Sequence, residues 1–228
     1  MPSHVPTPSH VPSPSPSPSR PFDAVVFDFG GVLIRPITNK IGVLADRAGV
    51  EVEELVEILM GPLGESTEHH PWHRAERGEI GVDDLQTRVA PYADARGVEL
   101  HGDEIAFLFE IDFTVIRPVI DRLVGLRADG YRTGLLTNSF QSFRSTLEEL
   151  LDMSRFDAVV DSSEVGHRKP ERVIYDLTAE RLGVKPSRII FLDDFGPNVI
   201  GARAAGWTAI HVTDPLEALG ELDRALAG

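Results

Sequence analysis

Five short apolar runs, most of them separated by stretches of helical period, limit what this chain can fold into more than any other feature. The runs cover residues 24–27, 133–136, 158–160, 188–192 and 208–212. Each run is apolar on both faces, which is typical of strands buried inside a parallel sheet. Strands that alternate with helices in this way predict an α/β fold with a doubly wound parallel sheet.

The stretches between most of these runs have the 3.6-residue period of amphipathic helices. They cover residues 117–128, 140–151, 171–182 and 198–205. Gly130, Gly183 and Gly206 follow three of them, and glycine is the residue that most often ends a helix. After the fifth run, Asp214 is predicted to cap one further helix.

The interval between the first two runs breaks this rhythm, because it is about a hundred residues long and contains no convincing strand. Helical patterns lie near residues 39–48, 52–59, 82–92 and 103–112. We therefore predict a helical-bundle domain, residues 36–114, inserted into a core made of residues 22–35 and 115–228. Residues 1–21 repeat Pro and Ser and are predicted to form a disordered tail.

The charge and composition of the chain exclude several classes of function. The net charge is −14, from 36 acidic and 22 basic residues, so nucleic acid and anionic membrane surfaces are not expected as main partners. The absence of cysteine excludes disulfides and thiolate chemistry. No apolar stretch approaches the ~18 residues of a membrane span. We expect a cytoplasmic protein that is a monomer or a homodimer.

Polar side chains follow four of the predicted strands, in the positions where parallel α/β sheets bind their ligands. In chain order they are Asp28, then Thr137 and Asn138, then Lys169 a loop beyond the third strand, and finally Asp193 and Asp194. Taken singly, each is typical of a turn or a helix cap. Their order at successive strand ends predicts that they converge on one site.

Three carboxylates at one site repel one another unless a cation joins them. Oxygen ligands without His or Cys favour Mg²⁺. A phosphoryl group is the expected guest, because Mg²⁺ and the ammonium of Lys169 offset its charge while Thr137 and Asn138 bond its oxygens. The partner is therefore expected to be a small phosphorylated metabolite.

Four segments of this chain resemble the motifs of the haloacid dehalogenase (HAD) superfamily. They are VVFDFGGVL (25–33), LLTNS (135–139), GHRKP (166–170) and FLDDFGPNVIGARAAG (191–206). The resemblance, to subfamily IA with a helical C1-type cap, implies a Rossmann-like five-stranded sheet with the first strand in the middle. The long helical insertion corresponds to the cap.

The resemblance also implies a role for each residue of these motifs. Asp28 would be the nucleophile that forms an aspartyl phosphate, and Lys169 would orient it. Phe29, Gly30, Thr137, Asn138 and Lys169 would hold the phosphoryl group, and Asp28, Gly30, Asp193 and Asp194 would hold Mg²⁺. The departure is Gly30, where phosphatases of the family usually have a second Asp that acts as general acid and base, typically worth ~10²–10⁴-fold in rate.

Two other functions fit parts of this pattern. A metal-independent 2-haloacid dehalogenase also lacks the second Asp, but it does not need the paired acids Asp193 and Asp194. A catalytically impaired protein that binds a phosphorylated metabolite would have lost the acid/base group for good. A phosphatase could compensate with a good leaving group or with another residue that reaches the site.

The cap segment 68–80 (EHHPWHRAERGEI) is the most unusual part of the insertion. Its aromatic and basic residues could contact the leaving group, or Trp72 could anchor the cap helices among solvated His and Arg. The candidates for a substitute acid or base are His69, His70, His73 and His167. Arg35 and Arg168 could contact phosphate, although solvent-exposed positions are the simpler expectation for both.

Overall fold

The sheet has five parallel strands. A computed structural model describes residues 20–35, 38–62, 69–100, 107–108 and 113–228. The strands are β1 (Ala24–Phe27), β2 (Arg132–Thr137), β3 (Ala158–Asp161), β4 (Ile189–Asp193) and β5 (Thr208–His211). Their order is β3-β2-β1-β4-β5, with every neighbouring pair parallel. The predicted doubly wound fold and the central position of β1 are confirmed.

Helices connect the strands, and several lie in the described part of the long interval after β1. In that interval lie α1 (Thr38–Ala48), α2 (Val52–Met60), α3 (Pro71–Glu76) and α4 (Val82–Asp94). The remaining helices are α5 (Arg117–Ala128), α6 (Arg144–Leu150), α7 (Ser162–Val165), α8 (Arg172–Leu182), α9 (Gly196–Ala204) and α10 (Pro215–Ala227). Asp214 caps α10 as predicted, accepting hydrogen bonds from two backbone N–H groups.

Among the helices, one prediction needs correction, the short helix α3 was missed, and one prediction lies mostly outside the described residues. The predicted helix 140–151 begins with a 3₁₀ turn, Gln141–Phe143, before α6. Helix α3 was not predicted, since its six residues are too short to show a helical period. The predicted helix 103–112 lies mostly outside the described residues, as does the tail, of which only residues 20–21 are described.

The continuous apolar runs are explained by burial on both faces of the sheet. In β1, Val25 and Phe27 point into a cluster that includes Leu123 of α5, while Val26 points into a second cluster with Ile174 of α8. All five side chains are 0% exposed. A strand buried on both faces has no solvent side, so its sequence does not alternate with polar residues.

The helices of the insertion have an apolar core of their own. Leu44 of α1, Leu55 of α2 and Leu85 of α4 belong to one buried cluster, which Phe140, just beyond β2, also joins. The division into a core and a cap with bounds at 36 and 114 stays a prediction. Within the described helices, none combines the length and apolar character needed to cross a bilayer.

The register of the strands brings the predicted site residues to one edge of the sheet. Phe27, the last residue of β1, is level with Leu192 of β4 and with Leu135 of β2. Beyond this level β4 continues for one residue, to Asp193, and β2 for two, to Thr137. The ends of both strands therefore lie close to Asp28, which follows β1. The Asp28 backbone N–H donates to the Leu192 carbonyl at 2.9 Å, which fixes the turn that leaves β1.

Candidate active site

Three carboxylates meet at the carboxyl edge of the sheet. Asp28 follows β1, Asp193 ends β4 and Asp194 comes next in the chain. Each offers a carboxylate oxygen, and these oxygens all lie within 4.8 Å of one another. Asp193 is 0% exposed and Asp28 only 7%. The structure therefore brings together the three acids that the sequence predicted.

Lys169 supplies the positive charge at the centre of this acid cluster. Its Nζ lies 2.8 Å from Asp28 Oδ1 and 2.7 Å from Asp193 Oδ2, and donates to the Leu136 carbonyl at 3.1 Å. Burial alone would lower the pKa of Lys169, but the carboxylates of Asp193 and Asp28 outweigh it and raise the pKa above its usual value. The lysine is therefore charged.

One ammonium does not balance three carboxylates, and the pKa values of two acids reflect the deficit. Burial, followed by the charges of Asp193 and Asp194, raises the pKa of Asp28 well above its usual range, although Lys169 opposes the shift. Burial and the charge of Asp193 raise the pKa of Asp194 to about 6. A divalent cation would remove this repulsion, and three clustered oxygen donors are what Mg²⁺ prefers.

Asp193, the last residue of β4, has carboxylate oxygens that other groups of the protein already occupy. Asp193 Oδ1 accepts from the Phe195 backbone N–H at 2.8 Å, and Asn198 Nδ2 lies 3.1 Å from both carboxylate oxygens of Asp193. With Lys169 on Oδ2, both oxygens of Asp193 are occupied. Asp28 and Asp194 are therefore the two carboxylates better placed to hold a cation directly.

Gly30 and Gly31 fit this site for different reasons. Gly31 has a φ of +68°, and a Cβ there would lie 2.0 Å from Asp194 Oδ2, so only glycine allows the acid to pack against this turn. A Cβ at Gly30 would meet nothing within 4 Å. The position where phosphatases of the resembled family usually carry their second Asp is therefore sterically open in this chain.

The predicted phosphate-binding residues after β2 lie at the same edge of the sheet. Thr137 is 3% exposed, and both it and Asn138 face the cavity above the acid cluster. The Asn138 amide, however, is bound at both ends to the Lys169 main chain, with Oδ1 accepting from its N–H at 2.8 Å and Nδ2 donating to its carbonyl at 3.0 Å. The side chain of Asn138 thus positions Lys169.

Phe29 and Gly30 leave β1 directly beside the acid cluster. The Phe29 backbone N–H donates to Asp28 Oδ1 at 2.7 Å, which fixes the orientation of that carboxylate. Both residues line the cavity above the cluster. Their predicted contact with a phosphoryl group stays a prediction.

Helix α3 of the insertion lines the cavity and is joined to the core by a buried ion pair. Arg168, the neighbour of Lys169, donates from Nε to Glu76 Oε2. Trp72 Nε1 donates to Glu76 Oε1 at 3.0 Å. The exposed fractions of these three residues are 4–7%. The expectation that Arg168 is solvent-exposed is therefore wrong, because a carboxylate 92 residues earlier pairs with it.

The histidines singled out in the sequence differ in where they lie. His73 lines the cavity and is buried, and His70 is buried beside it with ring centroids 5.4 Å apart. The expectation of solvated histidines around Trp72 is wrong for these two. His69 is exposed, and His167 lies 3.4 Å from Glu171 at the surface. The remaining arginine, Arg35, is exposed.

His70 makes the stability of the protein depend on pH. It caps α3, its Nδ1 accepting from the Trp72 backbone N–H at 3.3 Å. Burial, followed by the charge of His73, lowers the pKa of His70 to about 4. The unfolded chain, with a histidine pKa near 6.5, therefore binds a proton more readily than the folded chain. The stability that the neutral His70 contributes is fully present above about pH 6.5 and is lost as the pH falls toward 4.

We expect His70 to account for roughly 3 kcal/mol of the stability lost on acidification over this range. Urea unfolding measured between pH 4 and 7.5 checks this. His70→Asn keeps a capping side chain without the titration and should flatten the pH dependence, whereas the exposed neighbour variant His69→Asn should leave it as in the parent. Equal slopes for parent and His70→Asn would contradict the prediction.

Two residues of the site were missed in the sequence. Asn198, which holds Asp193, lies five residues beyond it within the motif 191–206, so its position was a usable signal. Glu76 had no local signal, since its partners become neighbours only when the insertion packs on the core.

The fold and the acid cluster are typical of α/β enzymes, in which the charged groups of the active site lie at the carboxyl ends of the parallel strands. A comparison with protein families makes the assignment narrower: residues 22–206 match the model of the haloacid dehalogenase-like hydrolases. The chain therefore belongs to this family and is a hydrolase. The resemblance of its four motifs to the superfamily is confirmed, while the subfamily and the type of cap stay predictions.

The relatives of this chain differ in length and in the activity that their names describe. The chain is 31% identical over 212 residues to mouse acyl-CoA dehydrogenase family member 10, covering 91% of this chain but only 19% of that protein. It is 29% identical to the sesquiterpene phosphatase astK of Aspergillus oryzae, over 91% of this chain and 97% of that one. Phosphoglycolate phosphatase of Escherichia coli is 34% identical over 155 residues, covering 62% of this chain and 59% of the relative.

Solved structures show the same fold at lower identity. A HAD-family enzyme of Bacteroides thetaiotaomicron, in complex with magnesium and inorganic phosphate, has a TM-score of 0.57 and 18% identity, covering 83% of this chain and 93% of that one. The L-2-haloacid dehalogenase of Xanthobacter autotrophicus also has a TM-score of 0.57, with 21% identity over 88% of this chain and 81% of that one. Identities this low establish the fold alone.

Proposed function

We propose that this chain is a Mg²⁺-dependent phosphohydrolase that cleaves phosphate monoesters of small molecules through an aspartyl-phosphate intermediate on Asp28. The observation that carries the proposal is the acid cluster around Lys169. A carboxylate at the end of the central strand lies 2.8 Å from a buried ammonium, and two further carboxylates are close by. A metal-free attack on carbon does not need a paired-acid metal site, so the pair Asp193 and Asp194 favours phosphorus over the dehalogenase chemistry.

The residues present fit Mg²⁺. Asp28, Asp194 and the backbone carbonyl of Gly30 would hold it, with Asp193 supporting the site through Lys169 and Asn198. When bound, the metal offsets the negative charge of the phosphoryl group and of the carboxylates. The Bacteroides thetaiotaomicron structure, which contains magnesium and phosphate, supports this assignment for a protein of the same fold.

The side chains of this protein would carry the reaction itself. A carboxylate oxygen of Asp28 attacks phosphorus, and the P–O bond to the alcohol breaks while the leaving oxygen takes a proton from solvent. Water then attacks the aspartyl phosphate, which releases phosphate and a proton and restores the Asp28 carboxylate. Lys169 orients Asp28 and offsets charge on the phosphoryl oxygens. Thr137 Oγ1 and the backbone N–H of Asn138 would donate hydrogen bonds to those oxygens, since the Asn138 side chain is already bound to Lys169.

The names of the relatives support phosphate-ester hydrolysis without choosing a substrate. Two of them are phosphatases, one named for sesquiterpenes and one for phosphoglycolate, and these are very different molecules. The substrate of the present chain therefore has to be inferred from its own cavity.

A release assay tests the proposal. The purified full chain is incubated with acetyl phosphate, methyl phosphate and longer phosphate monoesters, with Mg²⁺ or with EDTA, and with 2-chloropropionate in parallel. We expect phosphate release that requires Mg²⁺ and no chloride release. Chloride release in EDTA would replace the proposal by the dehalogenase reaction, and phosphate-ester binding without any turnover would replace it by the binding function.

The unequal roles of Asp193 and Asp194 lead to a prediction about metal binding. Asp194→Asn removes a carboxylate that would bind the cation directly, so we expect the Mg²⁺ concentration for half-maximal stabilisation to rise by about tenfold or more. Thermal unfolding at increasing Mg²⁺ measures this without any substrate. The matched control is Asp214→Asn, which changes the acid after β5 and should leave the Mg²⁺ dependence unchanged. An unshifted midpoint for Asp194→Asn would remove it from the metal site.

The open space at Gly30 leads to a prediction about the missing acid/base. Gly30→Asp places a carboxyl beside an anionic cluster that would keep it protonated, as a general acid must be. For alkyl phosphates, whose alkoxide leaves poorly, we expect kcat to rise about 10²-fold. For acetyl phosphate, whose acetate leaves without a proton, kcat should change little.

Gly30→Asn is the matched control, since it has nearly the same size as Gly30→Asp but cannot transfer the proton. Equal kcat values for the two variants on an alkyl phosphate would contradict the idea that acid/base catalysis limits the parent enzyme.

A further inference from the structure

A cavity of about 280 Å³ extends from the acid cluster into the helices of the insertion. Asp28, Thr137 and Asp194 lie at its base. Its far wall is formed by Ile41 of α1 and by Val56 of α2, among other apolar residues. Because the reacting phosphoryl group would sit at the base, whatever is attached to it must lie against this wall.

A continuous series of aromatic rings forms one side of the cavity. Phe29, beside the nucleophile, lies 6.1 Å from Phe113, which packs edge-on against Phe143 at 6.0 Å. Phe143 contacts Phe140 at 5.8 Å, and Phe140 contacts Trp72 of α3 at 5.2 Å. The series thus runs from the end of β1 to the insertion and presents apolar surface along the path that a leaving group would follow.

The polar side chains that α3 contributes to the cavity wall lie close to partners of their own. Both carboxylate oxygens of Glu76 accept hydrogen bonds, one from Trp72 and one from Arg168. His73 is 3% exposed and packs beside the His70 ring. A leaving group with several hydroxyls would lose its water here and find few partners among the described residues, which is unfavourable for each unpaired hydroxyl.

Resting on the phosphohydrolase function proposed above, we infer that the substrates are phosphate monoesters of aliphatic alcohols, whose hydrocarbon chain fills this cavity. The phosphate binds at the acid cluster, and the chain lies against the aromatic series. A volume of about 280 Å³ is at the small end of ligand pockets, so the alcohol is of medium length and carries a single chain.

A homologous series of alkyl phosphates tests the inference, because it keeps the phosphate constant. From methyl to octyl phosphate, kcat/KM should rise by about fourfold for each methylene until the cavity is full, as expected from the transfer of one CH₂ group out of water. Glycerol 3-phosphate should be a poorer substrate than butyl phosphate, and glucose 6-phosphate a poorer one than hexyl phosphate, although each of the two polar esters has more non-hydrogen atoms in total than the alkyl ester compared with it.

Two positions on α2, one turn apart, provide matched variants. Val56 lines the cavity, whereas Val52 is 42% exposed and lies outside it. Val56→Thr replaces a methyl by a hydroxyl in the wall and should lower the ratio of kcat/KM for octyl phosphate to that for methyl phosphate by about tenfold. Val52→Thr should leave this ratio as in the parent.

The outcomes separate the inference from the proposed function. If no ester in the series, including methyl phosphate and acetyl phosphate, releases phosphate with Mg²⁺, the phosphohydrolase function itself fails. If phosphate is released but kcat/KM does not depend on chain length, or if the sugar phosphates are preferred, only the aliphatic substrate class is overturned.

Discussion

Asp28→Asn is expected to lower Mg²⁺-dependent phosphate release by about four orders of magnitude or more, since the amide cannot attack phosphorus and nucleophile removal in other enzymes has effects of this size. The substitution keeps the size of the side chain. It also removes the negative charge of Asp28, a carboxyl group whose pKa the fold raises well above its usual range. The fold therefore tolerates the neutral form, and the thermal unfolding temperature should not fall.

The control for this variant lies at the opposite end of the same strand. Asp23 precedes β1 and pairs with Arg188 at 2.7 Å near the surface. Asp23→Asn makes the same chemical change far from the acid cluster, so its rate should stay within about twofold of the parent rate. The rate of Mg²⁺-dependent phosphate release is measured for both variants. If Asp28→Asn hydrolyses as fast as the parent, Asp28 is not the nucleophile.

The sheet could be predicted from the sequence because its physical cause is local. Residues 24–27 are apolar without interruption since the strand is covered on both faces, and a run this short between turn signals is typical of a buried strand. The site acids followed from the same pattern, because each lies at or directly after the end of a predicted apolar run. Asp28, Asp193 and Asp194 could thus be placed together from the sequence alone.

The contacts of the insertion with the core could not be predicted in this way. Arg168 looked like a surface residue, and nothing near Glu76 in the chain indicates that the two form a buried pair. The aromatic series has the same character, since Phe29 and Trp72 belong to segments that meet only after the insertion packs on the sheet. A sequence pattern indicates the burial and the period of one segment, whereas the cavity is formed by side chains from several segments that are distant in the chain.

Lys169 is expected to stabilise the folded protein as well as the active site. Three carboxylates in a buried place raise the free energy of the folded state unless positive charge compensates them. Lys169, fully buried, contacts two of the three. In the absence of Mg²⁺ it is the one cation within contact of Asp28 and Asp193 among the described residues. The residue proposed to orient the nucleophile is therefore also expected to hold the folded structure together.

Lys169→Met is accordingly expected to destabilise the protein by about 3–5 kcal/mol in EDTA, the range found when one partner of a buried ion pair is removed. The pH dependence has a definite sign. An acid whose pKa is raised on folding binds its proton more tightly in the folded chain, so stability falls as the pH rises from the unfolded value of about 4 through the folded pKa. Without the lysine, the pKa values of the buried acids rise further, and the loss should be larger at pH 7 than at pH 5.

Urea unfolding at both pH values measures this effect, and two variants isolate its cause. Lys169→Met combined with Asp193→Asn removes one of the uncompensated charges and should recover part of the lost stability at pH 7. Lys185→Met makes the same substitution at an exposed lysine and should change stability by less than about 0.5 kcal/mol. A loss for Lys169→Met that is independent of pH and unchanged by the second substitution would mean that lost packing, and not charge, is the cause.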